Sequence, residues 1–137
     1  MQKTFTMLKP DTVQAGKAGA VIGELEKAGF RVRAMKMLHL TEAQAQGFYD
    51  VHKERPFFGS LVKFMTESPV VAMVLESDNA IEKLRKVMGA TDPGKADAGT
   101  IRKQFGTNIE RNAIHGSDGP DTAAFEISYF FNQLEIV

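Results

Sequence analysis

The sequence predicts an α+β sandwich, a small antiparallel sheet with helices packed on one face. Three observations carry that expectation. Apolar residues alternate or run unbroken in some short stretches and recur at helical spacing in others. These stretches follow one another as strand, helix, strand, helices, strand, helix, loop and strand, which reduces to βαββαβ with insertions. The composition, 43% hydrophobic and 25% charged over 137 residues, is that of an ordinary globular protein. A chain of this length predicts one domain, residues 1–137.

Thr4–Leu8 ("TFTML") is a β-type run that Lys9-Pro10-Asp11 stops. In "KAGAVIGELEKAGF" Ala18, Val21, Ile22, Leu25 and Ala28 share a helical face, and Gly29 is a natural C-terminal stop. "FRVRAMKML" then alternates Phe30, Val32 and Ala34 against Arg31 and Arg33, as a strand does. Thr41 and Gln44 fit a capping box that opens a helix through about His52, and "GSLVKFM" reads as another short helix. Val70–Glu76 ("VVAMVLE") is nearly all apolar, as a central strand requires. Asp78 can cap "NAIEKLRKVM", whose Ile81, Leu84 and Met88 share a face before Gly89 ends it.

Gly89–Gly119 is rich in Gly, Thr, Asp and Asn and poor in periodic apolar residues. Ile101 and Phe105 suggest one short helix within it, and "NAIH" a last short strand. An irregular stretch of this length in a compact domain is usually functional or disordered, and the presence of Arg102, Asn112 and His115 favours function. The closing "AFEISYFF" alternates like a strand, yet Pro120-Asp121 can start a helix with Ala123, Ala124, Ile127 and Phe130 on one face. The pattern leaves both open.

Composition narrows function. Lys+Arg and Asp+Glu are both 17, so there is no overall basic excess of the nucleic-acid-binding kind. Without cysteines there are no disulfides or thiolate metal sites. The start "MQKTFTMLKPD" lacks a long apolar stretch, and no run has the length of a membrane span. The expectation is a soluble cytoplasmic protein with no membrane partner and no specific nucleic acid.

One motif misleads. "GATDPGKA" matches the first part of a P-loop, but Ala96 stands where Ser or Thr must bind Mg²⁺. It also follows a helix rather than a strand, and Pro93 removes an N–H donor. Other phosphate-suited groups, namely Lys9, Arg85, Thr91, Arg102 and Asn112, are scattered along the chain. Converging on His115, they would make a cation-rich pocket for a polyphosphate. His39 and His52 lack metal-ligand partners at the usual spacing, so no zinc is assigned and both read as structural.

"TMLKPD", "RPFFGSLVKFM", "GATDP", "GTIRKQFG" and above all "RNAIHGSDG" occur in order and resemble the nucleoside diphosphate kinases, from about Thr4 to Phe131. The resemblance implies a ferredoxin-like sandwich with a four-stranded antiparallel sheet, and a helix around Glu126. It implies reversible, Mg²⁺-dependent transfer of a γ-phosphoryl group from a nucleoside triphosphate to a nucleoside diphosphate through a phosphohistidine. By resemblance that histidine is His115. The resemblance likewise implies that Lys9 contacts phosphate with Tyr49 nearby, that Phe57 stacks on the base, and that Arg85, Thr91 and Arg102 surround the phosphates. It implies that Asn112 faces sugar and phosphate, and that Glu126, with Ser117 beside it, orients the histidine. Stacking on Phe57 would make the enzyme tolerant of the base. If Glu126 orients the ring through Nε2, Nδ1 is the expected nucleophile. The alternative is a non-catalytic nucleotide-sensing or nucleic-acid-binding module on the same fold. A homo-oligomer is implied as well, a dimer-based tetramer being favoured over a hexamer because many hexameric relatives run on beyond the position of Val137.

Overall fold

The computed structural model describes residues 1–137. Four strands, β1 (Gln2–Leu8), β2 (Arg31–Leu38), β3 (Val70–Ser77) and β4 (Ile114–Gly116), form one antiparallel sheet in the order β2-β3-β1-β4. Seven helices surround it: α1 (Pro10–Gln14), α2 (Ala18–Lys27), α3 (Glu42–Phe48), α4 (Phe58–Met65), α5 (Ala80–Met88), α6 (Ile101–Phe105) and α7 (Pro120–Phe130). This is the expected ferredoxin-like sandwich, and the ambiguous tail is helical.

The helices cover both faces of the sheet rather than one. Val70, Ala72 and Val74 of β3 pack with α3, α4 and α7, while Val71, Met73 and Leu75 pack with α2 and α5. A strand buried on both sides must be apolar throughout, so the unbroken run of β3 already carried this requirement. Each fully buried large side chain, such as Phe5 on one side and Leu84 on the other, contributes about 1.5–3 kcal/mol.

Local signals account for most boundaries. Thr41 and Gln44 form the predicted capping box on α3. That helix stops at Phe48, and Asp50–His52 form a separate 3₁₀ turn rather than its last turn. Pro10 ends β1 but also opens α1, a helix the strand-stop reading did not anticipate; its missing N–H and fixed φ suit the first helical position. Asp78 does not cap α5. Asn79 stands there in a left-handed conformation (φ 53°), and the free N–H of Ile81 is taken by Gln2 Oε1 at 3.0 Å instead. The alternation of β2 is interrupted by a bulge between Val32 and Ala34.

Two glycines matter for where the site lies. Gly89, at φ +86°, ends α5 and turns the chain into the long loop. A Cβ on Gly116 would stand 2.7 Å from Met88 Sδ and 3.0 Å from Leu84 Cδ2. With glycine there, β4, which carries His115, lies against α5 without displacing the ends of those two side chains.

Candidate active site

The site grows from the turn that precedes β4. Ala113 is fully buried at φ +76°, and the N–H of Ile114 donates to Asn112 O at 2.9 Å, closing a γ-turn around it. A residue with a Cβ pays about 1–3 kcal/mol for such a conformation, so its surroundings must hold it there. After the turn, β4 pairs with β1, and His115 stands opposite Met7. The short strand therefore projects His115 from the edge of the sheet, where its ring stands steeply inclined to those of Phe48 and Tyr49, with centroids 5.3 and 6.3 Å away.

Behind the ring lies a carboxylate. Glu126, on α7 and nearly buried, has Oε1 2.9 Å from His115 Nε2. The same oxygen accepts from Ser117 Oγ at 2.6 Å. A carboxylate has no proton to give, so Nε2 carries the hydrogen of the neutral ring. Nδ1 is left as the basic nitrogen and makes no hydrogen bond within the chain.

Cations gather in front. Lys9 Nζ donates to Asn112 Oδ1 at 2.7 Å, and Asn112 Nδ2 donates to Thr91 O at 3.0 Å. Lys9 is 7% exposed, and burial, reinforced by the Arg102 charge, lowers its pKa to about 8. Arg102 donates to Ile114 O at 2.8 Å and Gly89 O at 3.2 Å, and its buried Nε has no partner. Burial first, then the Arg85 charge, brings it down to about 10. Charge crowded this way against desolvation is suited to an anion that is not part of the chain. Arg85 instead lies at the exposed rim, with Nη1 2.6 Å from Asp118 Oδ1.

All the sequence-predicted site residues except Ser117, which lies behind Glu126, line one cleft of about 550 Å³. Tyr49 is on its floor, its hydroxyl buried and unpartnered; burial, with Glu126 adding, pushes the phenol up. Phe57 is half exposed at the mouth. The structure adds residues that pattern reading missed. His52, read as merely structural, lines the cleft with its ring 5.6 Å from that of Phe57. Ile109, Glu110 and Asp118 line it too. His39 does keep its structural reading, through Nε2 against Thr66 O at 2.7 Å. The P-loop-like stretch forms no phosphate cradle: Pro93–Lys95 is a 3₁₀ turn, and Asp92 takes the Gly94 N–H at 2.9 Å.

The family model described as nucleoside diphosphate kinase matches residues 2–136. The chain belongs to the nucleoside diphosphate kinase family. That is a family of nucleotide-binding phosphotransferases, and membership makes this chain an enzyme of that kind. It is 58% identical over 137 residues to the nucleoside diphosphate kinase of Desulfosudis oleivorans and 56% to that of Trichlorobacter lovleyi, covering 100% of this chain and 99% of each relative. Among solved structures, the Aquifex aeolicus nucleoside diphosphate kinase superposes with a TM-score of 0.97 at 44% identity, covering 99% of both chains. The halophilic nucleoside diphosphate kinase of Halobacterium salinarum, solved in complex with CDP, superposes with a TM-score of 0.95 at 41% identity, covering 99% of this chain and 91% of that one.

Proposed function

We propose that the enzyme works by a ping-pong mechanism, with His115 as the phosphorylated intermediate. The observation that carries this is the Nε2–Glu126 pairing with Nδ1 unengaged on the cleft wall. The Nδ1 lone pair attacks the γ-phosphorus of a nucleoside triphosphate; the bond to the bridging oxygen breaks, and the diphosphate leaves with that electron pair. A second diphosphate then attacks the phosphohistidine and regenerates the neutral ring. Glu126 holds the tautomer and the angle, and it offsets the positive charge that builds on the ring. Ser117 holds Glu126.

Phosphoryl transfer needs charge placed where the equatorial oxygens gather it. Lys9, Arg102 and Asn112 line the cleft and are tied to the chain by hydrogen bonds, so their charge and polarity stand ready for a phosphate. Arg85 and Thr91 complete the phosphate side at the rim. Phe57 offers the base a π-face, which every base can use, and so supports broad tolerance. No group of three or more His, Asp or Glu is arranged to hold a metal. Mg²⁺ carried by the nucleotide would neutralise phosphate charge, and this chain's part would be to hold those phosphates with Lys9, Arg85 and Arg102.

We also infer a homo-oligomer in the cytoplasm, a dimer-based tetramer, with nucleoside di- and triphosphates as its ligands. Edge strand β2 carries exposed Met35 and Met37, apolar surface suited to a second copy. No helix is long and apolar enough to cross a membrane.

Incubation with γ-labelled ATP tests the mechanism. The protein takes up an acid-labile, base-stable label and discharges it onto added diphosphates, and His115→Ala takes up none. An unlabelled native protein, or undiminished label in His115→Ala, sinks it.

A further inference from the structure

Both polar backbone groups of Ala113 are held from one short segment. Its N–H donates to Asp11 Oδ2 at 3.0 Å. Its carbonyl accepts from Thr12 Oγ1 at 2.9 Å and from the Lys9 N–H at 2.9 Å. Through Nζ, Lys9 also holds the side chain of Asn112. Residues 9–12 and 112–113 thus form one hydrogen-bonded unit. Lys9 lies at one end of it, and the strand bearing His115 leaves from the other.

Within that unit Asp11 is the charged residue that does not line the cleft. It makes no side-chain hydrogen bond to the groups assigned to the reaction, and its charge raises the pKa of Lys9. Its second oxygen, Oδ1, is buried without a partner, a cost that a neutral or absent side chain would avoid. What the carboxylate gains is a charge-assisted bond to the one N–H that a strained turn exposes. Burial raises the pKa of this carboxyl, and the Ala113 N–H opposes that rise by favouring the ionised form.

We propose that Asp11 is a positioning residue: its carboxylate holds the left-handed turn at Ala113 and thereby fixes His115 relative to Lys9. The kinetic consequence rests on the phosphoryl-transfer reading above, whereas the hold on the turn does not. In-line attack tolerates little error, and a displacement of about 1 Å costs on the order of 10²-fold in rate.

The test uses Asp11→Ala and Asp11→Asn, each alone and with Ala113→Gly, in the full chain. Glycine adopts the left-handed turn unaided, so it replaces the function of the clamp without restoring its contact. Asp11→Ala lowers kcat about 10- to 100-fold while KM for the diphosphate stays within about threefold. Adding Ala113→Gly recovers most of that loss. Asp11→Asn, which retains an acceptor oxygen, loses far less than Asp11→Ala. In thermal unfolding, Ala113→Gly raises the midpoint more in the Asp11→Ala background than in the wild type. The proposal is overturned if folded Asp11→Ala keeps wild-type kcat, if glycine fails to restore it, or if the unfolding shifts simply add. Should Asp11→Ala not fold, folding of the double variant supports the proposal and its failure to fold overturns it. A wild type that transfers no phosphoryl group brings down the reading of function, and the unfolding cycle still decides the role of Asp11.

Discussion

The inner wall of the cleft and its mouth are built differently. On the inner wall Lys9, Arg102, Asn112 and Glu126 are all buried, and each is tied to the chain by at least one hydrogen bond. At the mouth Phe57 is 48% and Ile109 63% exposed, and Arg85 has one ion pair at the surface. On the proposed mechanism the groups around the transferred phosphoryl are placed before any ligand arrives, and the desolvation still carried by Lys9 and Arg102 is left for an anion to offset. Those facing the rest of the nucleotide are left free to adapt. On the proposed function, the hydrogen-bonded wall lies where small displacements are expensive, and the exposed mouth would accept more than one base.

The largest effect that probes this contrast is on Lys9. Lys9→Gln lowers kcat/KM about 10²- to 10³-fold by removing a fixed charge from the transition state. The wild type should also lose kcat/KM as pH rises through about 8, because burial has lowered the Lys9 pKa from 10.5 and the charged form disappears there. Stability moves the other way. The folded value lies below the unfolded one, so between about 8 and 10.5 the unfolded chain binds more protons, and this group's contribution to stability rises with pH. Pairing pH–rate profiles with unfolding curves for wild type and Lys9→Gln isolates both trends. Rate and stability falling together above pH 8 would mean that the inner wall does not carry a destabilised charge.

Phe57→Ala comes next. Losing a stacked ring is worth ~1–3 kcal/mol, about 5- to 150-fold in KM, with kcat little changed. The rise should be similar for purine and pyrimidine diphosphates. A large loss confined to one base would make the mouth a selective reader and would erase the contrast with the inner wall.

The same contrast explains what the sequence disclosed. The capping box of α3 and the unbroken run of β3 depend on neighbours within a few residues, so pattern reading found them. The family motifs held Lys9, Arg102 and Asn112 as residue types, while Glu126 lay beyond them in the tail whose pattern fitted strand and helix alike. Their pairings were not legible, because Lys9–Asn112 and Asp11–Ala113 span separations of 103 and 102 residues. Only the closing of β4 onto β1 brings those ends together. Pro10 and Asn79 misled for a local reason: each can end one element or begin the next, and tertiary packing made the choice. His52 and Ile109 left no periodic signal, since both stand on turns whose direction comes from the elements around them.

The smallest effect is expected at the rim, where Asp118 meets Arg85 at 2.6 Å. Both side chains are more than a third exposed, 51% for Arg85 and 79% for Asp118, so the pair is worth at most about 1 kcal/mol and less in salt. Asp118→Asn should therefore leave the unfolding midpoint within about 4 °C. Its consequence lies in binding. Arg85 must leave Asp118 to meet a phosphate, so neutralising Asp118 removes a competitor. KM for nucleotide should fall about twofold at low ionic strength, and the difference should fade as added salt screens the pair. A higher KM in Asp118→Asn would reverse this assignment. It would place Asp118 on the side of the bound nucleotide, and the rim would then be set for its ligand in advance, just as the inner wall is.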